Sequence, residues 1–154
     1  MLNNSVIHFS DAALIAVHAL ANLARNGERL VQTHELADEL AASSHHVAKV
    51  MQRLVRSRLV KSVKGPAGGF ELALPADEIS FLQAIEAVDG PLEGNFCPFR
   101  TETCTPDNCI FGKELAVHAH QLIEHLARRS IASIEGDTPG GVWNRNTQSP
   151  HTRL

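Results

Sequence analysis

The stretch CPFRTETCTPDNC, residues 97–109, holds all three cysteines of the chain: Cys97, Cys104 and Cys109. Thiolates are soft ligands suited to iron–sulfur clusters and to zinc. Three of them on one short segment with Pro98 and Pro106 predict a metal or cluster site. Structural zinc commonly uses paired C-x2-C knuckles on tight turns, and this chain has none. The wider C-x6-C-x4-C spacing fits a larger object such as a cluster. Zinc and a thiol–disulfide switch are the competing chemistries of the same residues. A cluster site normally has four ligands. His118 and His120 follow Cys109 on a helical segment, and His8 and Asp11 lie near the start of the chain. Spacing does not choose among them.

A second set of residues carries charge. No acidic residue lies between Glu39 and Glu71, whereas Lys49, Arg53, Arg56, Arg58, Lys61 and Lys64 all do. A chain of net charge −3 has concentrated six of its 14 lysines and arginines there. Such segregation is the electrostatic footprint of a face that meets nucleic-acid phosphates.

The elements that must position these residues are legible in the periodicity. Ser10-Asp11 opens a helix with Leu14, Val17, Ala21 and Ala24 on one stripe, closed by Gly27. THELADELA (33–41) reads as a short second helix capped by Thr33. SSHHVAKVMQRLVRSRL (43–59) starts with a cap-type serine and repeats Val47, Val50, Met51 and Leu54 at helical spacing. LVKSVKGPAGGFELAL (59–74) alternates on both sides of a glycine-rich tip, which predicts a hairpin ended by Pro75. SFLQAIEAV (80–88) is a further short helix, and residues 113–134 form the longest one, with Leu115, Ala119, Leu122, Ile123 and Leu126 as its apolar stripe. From Gly136 the composition predicts a disordered tail, with Trp143 isolated in it.

Two short helices, a tight turn and a glycine-tipped hairpin are the order of a winged helix-turn-helix. The fold class expected is therefore mainly α with a small β-hairpin wing. It divides into a DNA-binding domain over 1–90, a cysteine loop over 91–112, a long helix over 113–135 and the tail over 136–154. The third helix would enter the major groove by its N-terminus. Ser43, Ser44, His45, His46, Lys49, Gln52 and Arg53 are the candidate contacts. Lys64 with the small residues Gly65, Gly68 and Gly69 would let the wing approach the sugar-phosphate backbone.

Other functions find no support. No apolar run approaches the roughly 20 residues that cross a bilayer. The N-terminal segment lacks the basic start of a secretory signal, so a cytoplasmic protein is expected. No phosphate-cradling glycine motif precedes a helix, and no Ser/His/Asp arrangement suggests an enzyme. His18, His34 and His125 fall on separate helices.

VKSVKGPAGGFELALPADEISFLQAIEAVDGPL (60–92), followed by the cysteine loop and the long helix, resembles the Rrf-two family of bacterial transcription regulators. The match runs from about residue 6 to 134, with KGPAGGF and IEAVDGPL as its most specific parts. The resemblance implies a homodimeric repressor that binds double-stranded operator DNA and pairs through the long helix. It also implies an iron–sulfur cluster on Cys97, Cys104 and Cys109 that senses nitric oxide, iron or redox state. Where the family's cluster-biogenesis regulator has a ligand histidine, this chain has Gly112. The family's nitric-oxide sensor takes an aspartate from the partner's first helix, in a Phe-Thr-Asp sequence, and Phe9-Ser10-Asp11 stands at the matching place. The implied fourth ligand is therefore Asp11 of the other subunit, with a 4Fe-4S cluster favoured and 2Fe-2S open. Many members have glycine where this chain has Arg58. In a left-handed conformation a non-glycine residue there costs about 1 kcal/mol.

Overall fold

The computed structural model describes residues 7–94, 106–111 and 113–134. Cys97, Cys104, Gly112 and the tail from 135 lie outside the described residues. Helix α1 runs Asp11–Asn26, α2 Thr33–Leu40, α3 Ser44–Arg56, α4 Phe81–Asp89 and α5 Lys113–Arg128. Strands β1 Val60–Val63 and β2 Gly69–Leu72 pair antiparallel, with Val60 opposite Leu72 and Val63 opposite Gly69. Short 3-10 turns span Ala76–Glu78, Pro106–Asn108 and Ile131–Ile134. This is a winged helix-turn-helix followed by one long helix.

Local chemistry sets most boundaries. Ser10, Ser43 and Ser80 each accept a hydrogen bond from the backbone N–H three residues on, which satisfies a donor that the first helical turn cannot. Gly27 ends α1 with φ 59°. The cap of α2 differs from the expected Thr33: it is Gln32, whose backbone N–H is held by Glu35 Oε2 at 2.8 Å. Glutamate at the third helical position supplies the carboxylate that reaches back, so the helix starts without a serine or threonine cap.

α1 is the centre of the core. Ala13, Ile15, Ala16, Ala19, Leu20, Ala21 and Leu23 are all buried, and α2, α3, α4, β2 and the 131–134 turn all pack on it. The stripe expected from the sequence is rotated: Leu14 is exposed, and Ile15 is buried instead. Several elements wrap this helix, so it buries more than one stripe and a single-face pattern misplaces its edge. On α3 the buried residues are the expected ones, Val47, Val50, Met51 and Leu54.

The wing is held at its base by a third strand-like contact. Val31 and Phe70 exchange backbone hydrogen bonds of 3.0 and 2.9 Å. A Cβ on Gly69 would lie 2.8 Å from the Val31 carbonyl oxygen, and one on Gly68 would lie 2.1 Å from that of Val63. Both positions need glycine for internal packing. Gly65, at φ 113°, stands open at the tip.

The last helix is shorter than expected, ending at Arg128 rather than 134. The reason is non-local. Phe81 N–H donates to the Arg129 carbonyl at 2.9 Å and Ile131 N–H to that of Ile79 at 2.8 Å, which turns the chain and buries Ile131 completely. Of the described α5 side chains only Leu126 is buried, and Val117 is half exposed.

Arg58 does adopt the left-handed conformation, with φ 62°. Arg58→Gly is therefore expected to raise stability by at most about 0.5 kcal/mol, the strain relieved less the greater freedom of glycine in the unfolded chain. Urea denaturation reads this, and a loss of stability would mean that the arginine side chain supports the fold.

Candidate nucleic-acid interface and cysteine loop

α3 presents two faces. Opposite its buried stripe, His45, Lys49, Gln52 and Arg56 recur at spacings of three and four and are all exposed. Ser43 and Ser44 are exposed at the N-terminal end, and His46 is half-buried. The wing stands beside that end. Ser44 shares one concave face with Ser62, Val63 and Gly65 of the wing and with Gln32, Thr33 and His34 at the start of α2. The structure thus brings the predicted Ser44, Gly65, Gly68 and Gly69 together and adds Gln32, Thr33 and His34, which charge and periodicity did not mark. Their only sequence signal was their position at a helix start.

Three predicted residues also make contacts within the fold. Gly68 is buried within the hairpin and Gly69 is pressed against Val31, so their small size serves the hairpin turn and the seating of the wing on the body. Arg53 is exposed, but its Nη1 donates to the Val88 carbonyl near the C-terminus of α4. That oxygen is among the acceptors a helix end leaves without an intrahelical partner, and a cation there also meets the negative end of the helix dipole. Lys64 remains exposed at the tip.

A polar chain joins α1 to α2. Asn22 is the buried polar residue of the described core, at 4% exposure. Its side-chain amide donates to Glu39, which also pairs with Arg25. Hydrogen bonds to Glu35 from the Gln32 backbone and then from Arg29 hold its carboxyl below the usual range. Burial, then Arg25, lowers the pKa of His18, while Glu39 opposes them.

The cysteine loop is fixed at both ends on α5. Gly94 is buried, and a Cβ there would lie 2.3 Å from His120 Cε1, so the imidazole covers its backbone. The other end returns through the Pro106–Asn108 turn to Cys109, a free, half-buried thiol, and on to α5. Ile110 and Phe111, which follow, are strongly exposed. His118 Nδ1 lies 3.2 Å from Gln121 Oε1. Asp11 is exposed at the start of α1 and lines a shallow groove with His18, Ser43 and His46. Among the described residues no three His, Cys, Asp or Glu side chains converge on a metal site.

A family model described as Rrf2, an iron-dependent transcriptional regulator, matches residues 9–137. The chain belongs to the Rrf2 family. A protein of Aquifex aeolicus provisionally named as an HTH-type transcriptional regulator is 38% identical over 97 residues, 63% of this chain and 67% of that one. The IscR transcriptional regulator of Cereibacter sphaeroides is 34% identical over 77 residues, half of each chain. CymR, the global cysteine regulator of B. subtilis, superposes with TM-score 0.75 at 20% identity, over 87% of this chain and 100% of that one. This likeness shows the winged-helix fold. The relatives named here are transcriptional regulators. Among the described residues no helix is long and apolar enough to cross a membrane.

Two measurements check this account of an Rrf2 surface. Arg53→Ala is expected to lower stability by about 1 kcal/mol, the net value of one hydrogen bond. Lys49→Ala should leave stability unchanged and reduce the salt dependence of DNA binding by about one counterion. The reverse pattern would return Arg53 to the duplex. The second measurement concerns His18. Its folded pKa lies below its ordinary value, so the unfolded chain binds more protons over that interval. The stability it contributes is full above about pH 6.5 and falls as pH drops through the folded pKa. His18→Gln should flatten the stability profile as pH falls below about 6.5. An unchanged slope would locate the titration elsewhere.

Proposed function

We propose that the chain is a dimeric, cytoplasmic repressor whose operator affinity is set by an iron–sulfur cluster, 4Fe-4S before 2Fe-2S. Cys97, Cys104 and Cys109 would hold it with the partner subunit's Asp11. The observation that carries this reading is the anchoring of the cysteine segment. Cys97 lies three residues beyond Gly94, and Cys104 two before Pro106. At about 3.6 Å per residue each is tethered within roughly 11 Å of a point fixed near α5. Three soft donors on so short a tether suit cluster iron. The group would supply a site that nitric oxide or oxidants can attack, and a carboxylate ligand would leave one iron exchangeable.

For DNA, the proposed reading assigns base contacts to the exposed α3 stripe and Ser44, and phosphate contacts to Lys64 and Gly65. Gly68 and Gly69 support the wing from within. The dimer is supported by α5, whose apolar Val117 and Ile123 remain partly uncovered, with Phe111 and Ile110 at its start. Leu122 packs partly against the core of its own chain. Val117→Glu is therefore the cleaner test. It is expected to give monomers by light scattering and loss of tight operator binding, and a dimer with intact affinity would move the interface elsewhere.

Two specific observations favour alternatives. The packing of His120 over Gly94 puts an imidazole of the same chain at the root of the loop. The fold likeness to the cysteine regulator CymR favours a cluster-free thiol or zinc sensor. Protein purified without oxygen separates these: broad visible absorbance with iron and sulfide supports the cluster, and a colourless protein supports thiols or zinc. Asp11→Ala is expected to alter the visible bands and hasten cluster loss to a chelator. His118→Ala should leave both unchanged, whereas His120→Ala, which uncovers Gly94 at the loop root, should hasten loss without altering the bands. The opposite result would make α5 the source of the fourth ligand.

A further inference from the structure

The wing tip, residues 64–68, extends beyond the last paired residues Val63 and Gly69. Inside it the Gly68 N–H closes a turn on the Gly65 carbonyl at 2.9 Å. That bond shapes the tip but does not aim it. One bond joins the tip to the helical body: Gln32 Nε2 donates to the Pro66 carbonyl at 3.3 Å. Gln32 is itself braced. Its backbone N–H is held by Glu35 Oε2, and Glu35 Oε1 is held by Arg29 Nη1, both at 2.8 Å. Arg29 Nε then donates to Asn26 Oδ1 at 3.0 Å, and Asn26 Nδ2 to the Asn22 carbonyl at 2.8 Å. Through this chain the tip is referred to α1, on which α3 also packs.

We propose that Gln32 is a positioning residue for DNA binding, holding the wing tip so that Lys64 and Gly65 meet the duplex backbone at a fixed distance from the Ser44 end of α3. This rests on the DNA-binding reading above. Two contact points on one rigid duplex must keep their separation, and a hairpin paired over four residues is otherwise free to tilt about its base. A side-chain amide serves here because it can donate to a carbonyl that has no partner in the hairpin. Proline at position 66 has no N–H for hairpin pairing, and its carbonyl stays available. The sequence shows Gln32 only as a polar residue before a helix.

The test uses Gln32→Met, which keeps length and removes the donor. In the free protein, hydrogen exchange of the 64–68 amides is expected to quicken at least fivefold, with α1, α3 and α4 unchanged. A duplex selected from random sequence by the wild-type protein then reads the consequence. Gln32→Met should weaken binding three- to tenfold and lower the salt slope by about one. Lys64→Ala should do the same, and the double variant should lose no more than either alone. Unchanged wing exchange overturns the proposal. Losses that add overturn it too, since Gln32 would then touch DNA itself. The exchange measurement needs no DNA, so failure of Gln32 to hold the tip is distinguishable from failure of the chain to bind a duplex.

Discussion

The close approach of other elements to α1 is the constraint on which the rest of the molecule depends. Ala16 and Ala19 have no exposed surface, and Ala13 and Leu23 almost none. Small side chains let neighbouring helices come near the roughly 8 Å lower limit of helix packing. α1 therefore serves as a common reference: α3 packs on it, and so do α4, β2 and the turn that follows α5. A larger residue at position 16 or 19 would push against several elements at once, and overpacking of this kind costs about 1–3 kcal/mol. The pose of α3 and the base of the wing are both set from this one helix.

The sequence was most legible where structure is local. Serine caps, a glycine helix end, the buried stripe of α3 and the glycine-tipped hairpin follow from neighbours within a few residues. Where a distant segment decides, the reading shifted. Leu14 faces outward because α1 is wrapped from several sides. The last helix stops at Arg128 because residues 129–131 bond with 79–81, which no periodicity reports. Gln32 caps α2 because Glu35 reaches back, a reciprocal device hidden behind a more obvious threonine. The DNA face shows the same limit. Charge marked the whole segment 40–70 correctly as basic, but charge alone cannot say where each side chain ends. Arg53 reaches a carbonyl of α4, Gly68 answers to packing inside the hairpin, and Gly69 to the approach of Val31.

The basic segment thus divides by physical role. Lys49 and Arg56 stay on the open stripe of α3, Lys64 tops the wing, and Arg53 closes a helix end. Arg58 occupies a left-handed position, as Ala41 does at the end of α2 with φ 50°. Two non-glycine residues in that conformation flank the α3 segment, one on each side. Each costs about 1 kcal/mol relative to a relaxed backbone, and the packing of Val47, Met51 and Leu54 offsets it. Burial of each such side chain contributes about 1.5–3 kcal/mol. The chain accepts strain on both sides of α3 because that helix is firmly seated.

A continuous line of contacts joins the cysteine loop to that helix. Gly94 at the loop root lies under His120 of α5, and α5 packs on α4. At the C-terminal end of α4, Asp89 accepts from Ser10 of α1, and the carbonyl of Val88 accepts from Arg53 of α3. Contact alone is not coupling, which requires an element with two arrangements that both sites bias. The candidate for that element is the α4 end. Elsewhere α3 is held by side chains with almost no exposed surface, which resist small displacements. At Val88 it is held by the tip of an exposed arginine, a joint that can lengthen or swing at little cost. α3 and α4 also pack directly on one another, with Ala84, Ile85 and Val88 buried, so the Arg53–Val88 bond adds to a contact that the core already makes. Arg53, exposed on α3, thus also ties that helix to the C-terminal end of α4.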